Sequence, residues 1–228
     1  GLSRSSKDFV LFLGTDAYPK LGCLEKCLTF LDTHPEVGAV TSKLVLRDGS
    51  LDLDAHRGFP TPSRAFFRFS GIWTLFKDSK IMNGYFLGLN PDKGLVGDFA
   101  KPHEIDLCIS HFLMVRKKVF DKVGKWDEDY FLYGEDVDFC YRLHLANFKL
   151  FYLPDAECQH LKGASVGIRK ETRDITKATP ETKRRIRKET TKAMKLFYEK
   201  HYASKYPKFL TQLVLTGISL LEKFRTYR

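Results

Sequence analysis

The chain has no Cys-x-x-Cys pair, no internal repeat and no low-complexity segment. It also has no uncharged apolar run near the roughly 18 residues that a bilayer-spanning helix needs. Its cysteines are five, an odd number, and Cys23 and Cys27 are four apart, which suits one helix face better than a zinc knuckle. Together with Cys108, Cys140 and Cys158 they read as reduced thiols, mostly buried, in a cytoplasmic protein. No signal-peptide pattern is visible. The basic part of the chain lacks interleaved aromatics, which argues against nucleic acid as a partner.

What is present is enough for a core. The sequence has 228 residues, 43% of them hydrophobic and 14% aromatic, which fits one domain or one domain with an appendage. The formal charge of +10 is uneven. Residues 167–228 hold 17 Lys/Arg against 6 Asp/Glu, a net of +11, and residues 1–166 hold 21 against 22, a net of −1. The basic excess therefore sits in the tail, where it suits an anionic partner or simply a solvated helical face.

Patterning predicts alternating strands and helices. Phe9–Leu13 is a continuous apolar run before Gly14, which suits a strand buried on both faces, with Asp16 just past its end. Leu21–Asp32 places Leu21, Leu24, Leu28 and Leu31 at helical spacing, and Val37–Leu46 is a second strand. Residues 51–101 are irregular and rich in Gly, Pro and aromatics, as in a lid, a substrate channel or a packed loop. Glu104–Val115 reads as one strand, Arg116–Val123 as a short helix closed by Gly124, Glu135–Asn147 as a helix, and Phe148–Leu153 as a strand stopped by Pro154. Thr179 and Pro180 open a long basic helix, and Pro207 starts an amphipathic one.

The densest carboxylate cluster lies in Trp126–Ser165: Asp127, Glu128, Asp129, Glu135, Asp136 and Asp138, followed by His160 and a Gly-containing loop. In an α/β sheet, ligands gather at strand ends. Acids meeting there can hold a divalent metal that bridges phosphates, with one carboxylate left as a base. Taken alone, this points to metal-assisted group transfer from a phosphate-bearing donor. Helix-dipole compensation is the commoner role of an acidic helix start, and an N-cap or turn the commoner role of a lone Asp such as Asp16.

YFLYGEDVDFCYR followed by YLPDAECQHLKGAS resembles the C-terminal catalytic half of inverting family 2 glycosyltransferases of the GT-A fold. HPEVGAVTSKLVLRDGSLDLDAHRGFPTPSRAFFRFSG, WDEDYFLYGEDVD and ITKAT further resemble the bacterial rhamnosyltransferase-like branch, which builds cell-wall and surface polysaccharides. The likeness runs from about Phe9 to the C-terminus, and GED-x-D-x3-R followed by H-x2-G-x-S is its most specific part. It implies an α/β fold: a partial GT-A-like mixed sheet with flanking helices over residues 1–177, then basic amphipathic helices over 178–228. It implies a nucleotide-sugar donor and a saccharide or lipid-linked acceptor. Asp136 would be the base. Glu135, Asp138, Arg142, Trp126 and Asp127 would shape the acceptor site, with Glu135 and Asp138 also holding neighbouring basic groups. Asp16 and His160 would ligate Mg or Mn. Lys162, Gly163 and Ser165 would close over the donor diphosphate.

Two departures from the family pattern stand out. The family's nucleotide-binding βαβ portion precedes the segment matching Phe9–Asp16, and only eight residues precede Phe9 here, so the chain is expected to be truncated, with an exposed sheet edge and a tendency to oligomerise. Gly14-Thr15-Asp16 stands where Asn-Pro-Asp or Asn-Ser-Asp is usual, and Ser110-His111-Phe112 where Gly-Ala-Phe is usual, so His111 is expected to crowd the site. The tail fits peripheral docking on the inner face of the plasma membrane. The alternative to an enzyme is a non-catalytic remnant that serves as a binding or membrane-docking module.

Overall fold

The structure is a computed structural model that describes residues 5–167, 172 and 174–226. Its centre is a six-stranded mixed sheet flanked by helices, in the order β1-β5-β3-β6-β2, with β4 also on β6. These are β1 (Phe9–Leu13), β2 (Ala17–Pro19), β3 (Val37–Val45), β4 (His103–Ile105), β5 (Phe112–Arg116) and β6 (Lys149–His160). Strand β3 is parallel to β6, and the other pairings are antiparallel. Strand β3 is buried along nearly all its length, Thr41 and Ser42 included, as the inner strand between β5 and β6.

Four strand and helix expectations are corrected. Among the described residues strand β1 pairs only with β5, so it is an edge strand, half-buried, with Leu13 exposed, and not one buried on both faces. The helix predicted over Leu21–Asp32 is α1 (Cys23–Thr33), and its buried stripe is Cys23, Cys27 and Leu31. Leu21, Leu24 and Leu28 are exposed. The thiols sit at i, i+4 spacing on the face that meets β3 and β6. The stretch Glu104–Val115 is two strands, because Asp106 turns away to accept hydrogen bonds from Phe59 N (3.0 Å) and Arg64 (2.5 Å). Pro154 does not stop β6: Ser42 faces Leu153 but Lys43 faces Glu157, so Pro154, Asp155 and Ala156 form a bulge that needs no donor from the proline.

Residues 51–101 fold into α2 (Pro62–Ser70) and four short 3-10 turns; α2 is capped by the Thr61 side chain. After β5 come α3 (Val119–Val123) and α4 (Glu135–Leu145). Then α5 (Pro180–His201), whose N-cap Thr179 accepts from Thr182 N at 3.2 Å, lays Ala193, Phe197 and Tyr198 into the same core as the sheet. The last helix, α6 (Lys208–Thr226), packs on α5. Among the described residues no helix is long and apolar enough to cross a membrane.

Candidate active site

Three strand ends converge on one point. Leu13 pairs with Phe112, so the residue before β5, His111, lies beside the end of β1, and Gly14 N donates to His111 O at 3.0 Å. The chain then turns through Asp16 into β2, whose Ala17 pairs with His160 at the end of β6. Strand register therefore brings Asp16, His111 and His160 together. One ligand atom from each lies within 4.8 Å of the others. His111 Nε2 is 3.3 Å and His160 Nε2 3.7 Å from Asp16 Oδ1.

The donors around this point are oriented but unspent. Asp16 Oδ2 accepts from Ser165 N at 3.3 Å, while Oδ1 has no partner. His160 Nδ1 lies 2.7 Å from Asp52 Oδ2, and His160 Nε2 has no partner. Asp52 is the N-cap of the turn Leu53–Ala55 and also accepts from Lys162 Nζ at 2.6 Å. Burial works against its charge, but His160 and Lys162 hold its carboxyl well below the usual carboxylate range. An ionised carboxylate only accepts, so His160 carries its proton on Nδ1 and presents the Nε2 lone pair to Asp16 and His111. This is the carboxylate–histidine arrangement that orients a metal ligand. Buried unpaired polar atoms cost about 1–3 kcal/mol each; Asp16 Oδ1 and His160 Nε2, 3.7 Å apart, fit a cation that would take them up.

Gly134 at φ 91° and Tyr133 at φ 64° turn the chain sharply into α4. Alanine at Gly134 would meet Tyr130 and Ala193 at about 3 Å. The turn aims Glu135 into a cleft of about 310 Å³ lined by Phe12, Leu13, Gly14, Ser110, His111 and Trp126. Trp126 is held there by Phe12 and Phe139, at 4.7 and 4.9 Å between ring centroids. Burial and the neighbouring Asp136 push the Glu135 carboxyl up to about 7. Burial also raises Asp136, opposed by Arg57 and by backbone donors at Val137 and Ser110. The two adjacent carboxyls thus form a high-affinity proton acceptor at the head of the helix.

The remaining candidates lie elsewhere. Asp138, two residues on, faces α5 and accepts from Arg142 Nε (2.6 Å), Lys200 Nζ (2.7 Å) and His201 Nε2 (2.7 Å). Asp127 pairs with Lys200 at 2.5 Å. Of the two roles expected for Asp138, the geometry carries the pairing with basic groups; Asp127, Asp138 and Arg142 do not line the cleft, and Asp136 lies buried directly behind Glu135, which does. Lys162, expected over a donor diphosphate, is engaged by Asp52 and Asp54. His111 lines the cleft within ligand reach of Asp16 and His160. Sequence reasoning missed Asp52, Asp54 and Arg57. No spacing could have found Asp52, which is 108 residues from His160.

Residues 101–207 match the model of glycosyl transferase family group 2. The chain is 28% identical over 155 residues to the rhamnosyltransferase WbbL of Escherichia coli K12, covering 67% of this chain and 52% of that protein. It is 47% identical over 55 residues to the N-acetylglucosaminyl-diphospho-decaprenol L-rhamnosyltransferase of Mycobacterium tuberculosis, covering 24% of this chain and 18% of that protein. The solved structure of GalNAc-T7 with UDP, GalNAc and Mn2+ aligns at a TM-score of 0.45 and 10% identity, over 70% of this chain and 29% of that one. The chain spans about half the length of the first of these relatives.

Proposed function

The family 2 glycosyltransferase character of this chain, rhamnosyltransferase-like in its relatives, is the premise from which we propose that it transfers a sugar of rhamnose type. The donor is a nucleotide sugar and the acceptor a saccharide or lipid-linked hydroxyl, in cell-wall or surface polysaccharide synthesis. The observation that carries this reading is a single cleft whose wall holds both His111, of the Asp16–His111–His160 cluster, and Glu135, beside Asp136.

Asp136 takes the acceptor proton. Its burial raises its proton affinity, and Arg57 keeps its charged form accessible. The acceptor oxygen bonds to the anomeric carbon as the bond to the diphosphate breaks, so configuration inverts. Asp16 and His160 would hold a divalent cation, with Asp52 fixing the histidine tautomer. When bound, that cation offsets the charge on the departing nucleoside diphosphate. Trp126 and Phe12 supply the apolar part of the cleft wall.

The test is Asp136→Asn, assayed for transfer from nucleotide-activated rhamnose or for donor hydrolysis. The expected loss is about 10²–10⁴-fold in rate, with folding intact. Turnover equal to the parent protein overturns the base assignment.

The same reading extends to where the enzyme works. The basic α5, and Phe209, Leu213 and Leu220 exposed along one side of α6, support peripheral docking on a membrane surface of anionic lipid.

A further inference from the structure

The His111 imidazole has no task in the chemistry described so far, yet it is firmly placed. Its carbonyl is tied to Gly14 N, and its ring stacks obliquely over His160 at 4.3 Å between centroids. The space it fills exists because residue 14 is glycine: a Cβ there would lie 2.6 Å from His111 Cδ2. The two positions where this chain departs from the family pattern near the site are therefore a matched pair in space. His111 Nε2 approaches the unpartnered Asp16 Oδ1, and its Nδ1 is buried without a partner.

We propose that His111 is a third protein ligand to the cation, so that the site is an Asp-His-His set that prefers a borderline transition metal to Mg2+. This rests on the reading of Asp16 and His160 as ligands and adds the metal's chemical class. Mg2+ favours oxygen ligands and retains its waters, whereas imidazole suits later first-row divalent ions. Two imidazoles and one carboxylate leave coordination positions open for phosphate oxygens, as in catalytic sites with three protein ligands. The orienting partners are already in place. Asp52 fixes the tautomer of His160, and Ser165 N occupies Asp16 Oδ2 so that Oδ1 is the free atom.

The experiment is titration of metal-free protein with Co2+ and, separately, Mg2+. Calorimetry reads affinity and the visible Co2+ bands read imidazole coordination. His111→Ala is expected to weaken Co2+ binding by at least about tenfold, since loss of even an outer-shell partner costs about 10–100-fold. It should change the Co2+ spectrum and leave Mg2+ affinity nearly unaltered. Gly14→Ala keeps every ligand atom but displaces the ring, and should also lower the preference for Co2+ over Mg2+. Circular dichroism verifies that each variant is folded. Co2+ affinity and spectrum unchanged in both variants overturn the role of His111 while leaving the Asp16–His160 site standing. Failure of the parent protein to bind either ion, or binding unaffected by Asp16→Ala, overturns the cation site itself and this inference with it.

Discussion

Two carboxylates two residues apart on α4 should respond oppositely to the same change. Asp138 is fully buried and accepts from Arg142, Lys200 and His201. In Asp138→Asn the buried charge that these donors face is lost. Breaking a buried ionic network costs about 3–5 kcal/mol. Lys200 is 34% exposed and keeps Asp127, so its share is discounted and the lower end applies, about 3 kcal/mol. That is a large part of the roughly 5–15 kcal/mol of a typical domain. For a chain of this size it corresponds to about 6–12 °C in melting temperature. The pH dependence has a definite sign. Burial opposes the Asp138 charge, but hydrogen bonds from His201, Lys200 and Arg142 hold the carboxyl well below the ordinary range. Its stabilisation is therefore present above the unfolded value of about 3.9 and lost as pH falls toward the folded one, so the gap between parent and variant should close in acid. Asp136 behaves in reverse. Its carboxyl is raised by burial, so its ionised form weakens the fold as pH rises, and Asp136→Asn should leave the midpoint equal or higher at neutral pH. Urea unfolding followed by circular dichroism measures both. An Asp138→Asn midpoint at or above that of Asp136→Asn would refute the reasoning.

Two further outcomes follow from the same geometry. Asp52→Asn removes the acceptor-only partner of His160 Nδ1 and should cost about 10–100-fold in Co2+ or Mn2+ affinity by calorimetry; an unchanged affinity would show that tautomer control lies elsewhere. The double change Phe209→Ser and Leu213→Ser should reduce co-sedimentation with vesicles containing anionic phospholipid. Equal sedimentation of the variant and the parent would rule out α6 as the docking element.

Local signals in the sequence carried the long elements. Thr179-Pro180 marks the start of α5, and Val37–Leu46 reads as the strand that β3 proves to be. Periodicity misjudged α1, because buried cysteines and exposed leucines look alike to an apolar count, and only the sheet decides which face is covered. It misjudged β1, because a strand's edge or central place depends on partners far along the chain. Pro154 signals a strand end unless a bulge absorbs it, and the bulge depends on register with β3.

What the sequence determined by itself was the acidic start of α4, the Asp and His at strand ends, the basic tail and the family to which these motifs point. These are properties of residue type and short spacing. Only the tertiary structure decided that Glu135 lines the cleft while Asp138 holds α5, because that depends on which elements pack around each side chain. Only it joined Asp52 to His160, and Gly14 and His111 to Asp16, since strand pairing sets those contacts without regard to distance along the chain.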